Sequence, residues 1–114
     1  MDYEMKIFTI IAHSGEAKSS CMEAISHAKQ GEFEKAEKCI AEANSKLRLA
    51  HESQTALIQS EAQGKETKLT LLMIHAQDHF MNTMTVRDLA GEFIEMYKSI
   101  RNNTGNYPQY EVNK

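Results

Sequence analysis

The sequence predicts an all-α protein, an antiparallel three-helix bundle, and three observations support this prediction. The single proline, Pro108, lies near the end of the 114 residues, so nothing upstream interrupts long helices. Gly31 and Gly64 coincide with breaks in the apolar pattern, as expected for helix ends that need a left-handed residue. These glycines divide most of the chain into three pieces of roughly thirty residues each, and three rods of similar length form a bundle.

The first predicted helix, residues 3–30, carries its apolar residues at spacings of three and four, which places them on one helical face. Gly15 lies in its middle, where glycine costs about 1 kcal/mol relative to alanine. A kink or a close helix contact is therefore expected there. The second predicted helix, residues 33–63, repeats the same pattern, and its alanines permit tight packing. Its larger apolar residues are Phe33, Ile40, Leu47, Leu57 and Ile58.

The third predicted helix, residues 69–101, carries more apolar residues than one stripe needs. When each residue adds 100°, they form two groups, at about 60–160° and about 240–260° from His75. The first group is Leu72, Met73, Ala76 and Phe80, and the second is Ile74 and Met81. Two neighbouring helices bury only one face of a helix in a three-helix monomer. The second group therefore predicts self-association.

Charge and composition exclude several classes of protein. Thirteen Lys+Arg against sixteen Asp+Glu leave a formal charge of -3, and no basic stripe runs along the chain, so no nucleic-acid partner is expected. The apolar stretch at residues 7–12 is far shorter than the ~20 residues that span a bilayer, and it lacks the flanks of a secretory signal. We expect a cytoplasmic protein. Cys21 and Cys39 have no CxxC spacing and are expected to be reduced core residues.

Functional side chains concentrate in one segment, residues 74–81. His75, Asp78 and His79 lie within about 100° of one another around the predicted helix and form one polar edge. Ile74 and Met81 flank Asp78 at nearly the same angle. This places a carboxylate in the middle of the second apolar face, where it needs an explanation.

Three interpretations of the two histidines are open from residue types alone. They are boundary residues with satisfied ring nitrogens, or they share a metal ion, as side chains at i and i+4 do in helical zinc sites. The glutamate of a metalloprotease motif is absent, however. In the third interpretation one imidazole is a nucleophile toward phosphorus, because a pKa of about 6.5 leaves much of the ring with a free lone pair near neutral pH.

The segment His75-Ala76-Gln77-Asp78-His79-Phe80-Met81 resembles the IIA component of lactose/cellobiose-type sugar phosphotransferase systems. The strings at residues 50–55 (AHESQT) and 30–33 (QGEF) resemble the same family, in the same order and spacing. The resemblance covers roughly residues 5 to 101. It implies three antiparallel helices per chain and three chains joined in a nine-helix homotrimer.

The resemblance also implies a function and roles for four residues. His75 would be the phosphohistidine, which receives a phosphoryl group from phospho-HPr and passes it to a cysteine of the cognate IIB component. The sugar would be bound by a membrane IIC component, with which this chain interacts only indirectly. Gln77 and His79 would support the His75 imidazole. Asp78 would face the threefold axis, where three carboxylates hold one structural Mg²⁺ ion per trimer.

Physical chemistry agrees with this expectation for Asp78. Three carboxylates on one axis repel each other unless they are protonated or bridged by a cation. Hard oxygen ligands suit magnesium better than zinc. We therefore expect a structural metal ion and not a catalytic one.

Finer expectations concern the sugar, one lysine and the domain bounds. Ala76 favours the cellobiose or diacetylchitobiose branch over the lactose branch, in which glycine is more usual at this position. Lys18 stands where arginine is common, and lysine would lose a bidentate phosphate contact, so we assign Lys18 no role. Residues 1–101 are predicted to form the IIA helical domain, and residues 102–114 a mobile tail.

The main alternative is a non-catalytic helical docking or regulatory bundle. The turn at Gly31 to Ala36 also resembles that of tetratricopeptide-like helical hairpins. A repeat array needs the same pattern again after about 34 residues, and it does not recur at Gly64.

Overall fold

The computed structural model describes residues 2–65 and 68–103, and every secondary-structure element within these ranges is an α-helix. Helix α1 spans Tyr3–Lys29, α2 spans Phe33–Ala62 and α3 spans Leu71–Asn103. The predicted three-helix bundle is confirmed, and each predicted helix end is correct to within two residues. The bundle is elongated and measures 66 × 21 × 21 Å.

The first two helices end at glycines in the left-handed region, as predicted. The φ angle is +80° at Gly31 and +82° at Gly64. At the first of these ends, the backbone N–H of Glu32 donates to the carbonyl of His27 at 2.9 Å. A hydrogen bond of this kind, from the residue after the glycine to a carbonyl five residues earlier, is typical of helices that end at a residue with positive φ. The glycines therefore set where the chain turns.

Contacts near both ends of the bundle define its topology. The hydroxyl of Tyr3 donates to the carbonyl of Lys68 just before α3 begins. At the other end, Arg101 of α3 lies against Gly31, just after α1 ends. Helices α1 and α3 therefore run parallel, and α2, which returns between them, is antiparallel to both.

Helix α1 is the central element of the bundle. It packs along both other helices, whereas α2 and α3 contact each other much less and leave a groove between them. Small residues dominate the interior, which lets the helices approach closely. The larger buried side chains are Ile7, Ile10, Leu47, Leu57, Met73, Phe80 and Ile94.

Two residues correct the predicted core. Ile58 and Leu72 were expected inside, but their side chains are 55% and 39% exposed. Ile58 lies on the wall of the groove between α2 and α3, and Leu72 lines a separate pocket beside Tyr3 and Ile7 of α1. Periodicity assigns a residue to the apolar side of a helix, but it does not say how closely the neighbouring helix approaches that side.

Three other expectations concern the cysteines and Gly15. Cys21 is buried, as predicted, and burial raises the pKa of its thiol. Cys39 is a free thiol that packs against the edge of the core, but it is only half-buried, beside the carboxylates of Glu23 and Glu42, so its prediction as a core residue is correct only in part. Helix α1 continues through Gly15, and the expected close contact with another helix is present there, at His79 of α3.

Helix α3 includes the first two residues of the predicted tail and ends at Asn103. Residues 104–114, the rest of that tail, lie outside the described residues. Within the described ranges, no helix has the length and apolar composition that crossing a bilayer requires.

We predict opposite effects for alanine at two glycines. Gly31→Ala should lower the free energy of unfolding by about 1 kcal/mol or more, because positive φ is unfavourable for alanine. Its Cβ would also lie 2.6 Å from Cζ of Arg101. Gly91→Ala should raise this free energy by about 0.5–1 kcal/mol, because Gly91 is within α3 and a Cβ there meets no atom within 4 Å. Urea unfolding at one protein concentration measures both, and changes of the same sign would contradict this account.

Candidate functional site

The polar residues of the segment on α3 lie on three different sides of the helix. His75 and His79 are four residues apart and share the side that faces α1. Gln77 is directed toward α2. Asp78 is exposed on the second apolar face, between Ile74 and Met81. One helical segment thus supplies functional groups to three surfaces.

The two histidines form a pair at the edge between α1 and α3. Their rings are stacked, with centroids 6.0 Å apart and an interplanar angle of 17°. The side chain of His75 is exposed and that of His79 is half-buried. A Cβ at Gly15 would lie 3.5 Å from Nε2 of His79, so the glycine brings the backbone of α1 close to this ring. His75 therefore meets solvent, and the half-buried His79 ring lies against it.

The surroundings of His79 favour the uncharged form of its ring. Burial lowers the pKa of His79, and the charges of His75 and Lys18 act in the same direction, while Asp78 opposes them. A neutral imidazole has one N–H donor and one free lone pair. His79 can therefore hydrogen-bond a group on its exposed side without adding positive charge.

Gln77 does not lie beside His75 of the same chain. Its Oε1 accepts a hydrogen bond from Nε2 of Gln54 at 2.6 Å, in the groove between α2 and α3. Residues two apart on a helix do not face each other. The structure thus brings His75 and His79 together and separates Gln77 from them within one chain.

An exposed apolar row, which we call the α3 stripe, runs along the third helix. Ile74 and Met81 are 50% and 55% exposed, so the predicted second apolar face is uncovered in one chain. The row continues over most of the helix at spacings of three, four, seven or eight residues, which is a helical repeat. Its apolar members are Leu71, Ile74, Met81, Leu89, Met96 and Ile100.

The groove between α2 and α3 adjoins the α3 stripe. It has a volume of about 440 Å³ near the C-terminal end of α2, and its walls are largely apolar. Ile74, Asp78 and Met81 belong to both features. The stripe and the groove therefore form one continuous exposed surface on the side of α3 away from α1.

The described residues contain no cluster of three His, Cys, Asp or Glu side chains that could hold an ion. His75 and His79 thus have no third such ligand beside them in this part of the chain. Asp78 provides an exposed carboxylate between Ile74 and Met81 of the α3 stripe.

The chain is similar to proteins of one family. The family model described as "PTS system, Lactose/Cellobiose specific IIA subunit" matches residues 5–98. The lichenan-specific phosphotransferase enzyme IIA component of Bacillus subtilis (strain 168) is 52% identical over 104 residues, which cover 91% of this chain and 94% of that relative.

Two solved structures share the fold. The cellobiose-specific enzyme IIA of Bacillus anthracis superposes with a TM-score of 0.85 at 46% identity, over 89% of this chain and 94% of that one. IIA(Chitobiose) of Escherichia coli, in complex with HPr, gives a TM-score of 0.77 at 34% identity, over 89% of this chain and 98% of that one.

We predict that Gln54 and Gln77 are energetically coupled through their hydrogen bond. A double-mutant cycle of Gln54→Ala and Gln77→Ala should give a coupling free energy of about 0.5–1.5 kcal/mol, the usual net value of a partly buried hydrogen bond. Urea unfolding measures it. Gln59→Ala, at an exposed glutamine of α2, is the control and should show no coupling to Gln77→Ala. Zero coupling for Gln54 would mean that Gln77 is not held in the groove.

Proposed function

Because the chain belongs to the lactose/cellobiose-specific IIA subunits of the sugar phosphotransferase system, we propose that it is a cytoplasmic phosphocarrier. It accepts a phosphoryl group from phospho-HPr on His75 and passes it to a cysteine of a IIB component. The observation that carries this proposal is the exposed His75 ring, stacked on a half-buried His79. A relay residue must be reached by both its donor and its acceptor, and His75 meets that requirement.

The transfer needs few protein groups. The lone pair of one His75 ring nitrogen forms the new N–P bond. At the same time the bond between phosphorus and HPr breaks, and the electron pair of that bond stays on the HPr atom. In the second step the IIB thiolate attacks phosphorus, and the His75 nitrogen recovers its pair. Phosphoryl transfer depends mainly on positioning and on hydrogen bonds to the spread charge. His79, four residues along the same side of α3, can donate one such bond.

Cellobiose and diacetylchitobiose are the sugars that we propose for the pathway, with the sugar bound by the membrane IIC component and not by this chain. Support comes from the cellobiose-specific and chitobiose relatives and from Ala76. The structure of IIA(Chitobiose) was determined with HPr bound, which supports HPr as the donor here.

A homotrimer would cover the α3 stripe. Six exposed apolar side chains in one helical row form a patch that monomeric proteins seldom leave in water. Three copies of α3 around a threefold axis would bury their stripes against one another, in the nine-helix arrangement.

The same arrangement would explain the direction of Gln77. A ring of identical chains joins one edge of each subunit to the opposite edge of the next. On α3 these edges are the side with His75 and the side with the groove and Gln77. Gln77 would then support His75 of the adjacent chain and not of its own.

Asp78 would hold the magnesium ion of this trimer. Its carboxylate is exposed in the middle of the stripe, so a threefold axis would bring three carboxylates together. Oxygen donors of this kind fit Mg²⁺. The ion would offset their repulsion and take no part in the transfer.

We predict acid-labile phosphorylation of His75. Incubation with phosphoenolpyruvate, HPr and the kinase that phosphorylates HPr should label the wild-type chain. The reason is that the His75 ring is exposed, so that the donor can reach a lone pair on it. His75→Ala should abolish the label, measured by phosphate incorporation before and after acid treatment. His51→Ala, at another exposed histidine, is the control and should keep it. An unlabelled wild-type chain would favour the docking or regulatory alternative.

We also predict that Asp78 makes the trimer sensitive to chelation. EDTA should weaken the wild-type trimer, because three unbridged carboxylates repel each other. Asp78→Leu should form a trimer of equal or greater stability that does not respond to EDTA, since leucine removes the charge. Light scattering measures the mass. Glu42→Leu, at an exposed carboxylate of α2, should behave as wild type, and a monomeric Asp78→Leu chain would refute the axial position of Asp78.

A further inference from the structure

Lys18 lies on the side of α1 that faces His79. Gly15 faces His79 at 3.5 Å, measured from a Cβ built on the glycine. Lys18 is three residues further along α1 and shares that side of the helix. Long helical side chains lean toward the N-terminus of their helix, which brings the Lys18 ammonium back toward the Gly15 turn. Its charge reaches the His79 ring and helps to lower the pKa of that imidazole.

In the part of the chain that the structure describes, the Lys18 ammonium has no carboxylate partner. Among residues 2–65 and 68–103, its side chain forms no ion pair, whereas Lys46 pairs with Glu16 and Lys98 with Glu37. The Lys18 charge instead acts on the imidazole of His79, where it disfavours protonation of that ring. An anion that arrives at the histidines would reverse the sign of the interaction.

We propose that Lys18 neutralises the charge of the phosphoryl group carried by His75. This inference rests on the proposed function. A phosphoryl group adds about 1.5 to 2 negative charges near neutral pH, and the exposed ammonium of Lys18 can donate a hydrogen bond to one of its oxygens. No further bond is made or broken. Lys18 holds the group where the exposed ring and the supporting His79 already position it.

The competing explanation is that Lys18 serves only to attract the donor protein. The two roles differ in what they change. Attraction between proteins alters the rate of encounter and disappears once they part. Neutralisation stabilises the phosphorylated chain itself, so it changes the equilibrium constant of phosphoryl exchange and the lifetime of the isolated phosphohistidine.

The experiment compares full-length Lys18→Gln, Lys18→Arg and Lys29→Gln chains with wild type. Lys29 is exposed on the same helix, eleven residues or about 16 Å further along, so its replacement removes the same charge far from His75. The equilibrium constant of phosphoryl exchange with HPr, the rate of phosphohistidine hydrolysis and the ³¹P chemical shift are measured for each phosphorylated chain.

Lys18→Gln should move the exchange equilibrium toward phospho-HPr by roughly 3- to 10-fold, the range for a partly exposed charged contact, and should change the ³¹P shift. Lys18→Arg should restore the equilibrium to within about twofold, because arginine keeps the charge and the donors. An unchanged equilibrium in Lys18→Gln, or an equal change in Lys29→Gln, overturns the inference. A wild-type chain that accepts no phosphoryl group would overturn the proposed function instead.

Discussion

The constraint on which this structure depends is that α3 has two apolar faces, while α1 and α2 cover only one. The covered face forms the core with Met73 and Phe80. The other is the α3 stripe, in which Ile74 and Met81 are half exposed. Because α2 and α3 touch each other so little, the uncovered surface widens into the groove beside the stripe. The arrangement of the functional groups follows from this division.

The spacing of the residues around His75 places their side chains on three sides of α3: the side facing α1, the groove and the α3 stripe. A spacing of four residues keeps His75 and His79 together and allows their rings to stack. A spacing of two sends Gln77 to the groove, where it meets Gln54. Asp78 is carried into the apolar stripe by the same geometry. In the proposed trimer, one short string would therefore provide the acceptor, its support, the link to the next chain and the ligand of the axial ion.

Much of the fold follows from the sequence, because its main determinants are local. The glycines that end α1 and α2 and the two apolar groups of α3 can be recognised without knowing any tertiary contact. The exposure of Ile58 cannot be, because it depends on how far apart α2 and α3 lie. The half-burial of Cys39 depends in the same way on how closely the neighbouring helices pack around it.

The same distinction between local and tertiary determinants applies to the candidate site. The pairing of His75 with His79 is a matter of helical spacing and was predicted. The direction of Gln77 also follows from its spacing. The family resemblance, however, assigns Gln77 a role without saying in which direction its side chain points. Lys18 is about sixty positions from His79 in the chain, and only the packing of α1 on α3 brings its charge to that ring. The family resemblance draws attention to Lys18, but it does not show that Lys18 acts on His79.

A relay imposes a limit on how strongly its site should bind the transferred group. An exchange that is to proceed onward must leave the phosphorylated intermediate neither much more nor much less stable than the species before and after it. A buried cluster of arginines would hold a dianion tightly through bidentate contacts and would slow its release. A single exposed lysine acts as a point charge that water and salt screen. With a neutral His79 beside it, Lys18 would give the modest stabilisation that a carrier requires, and the exposure of His75 would let the acceptor take the group away.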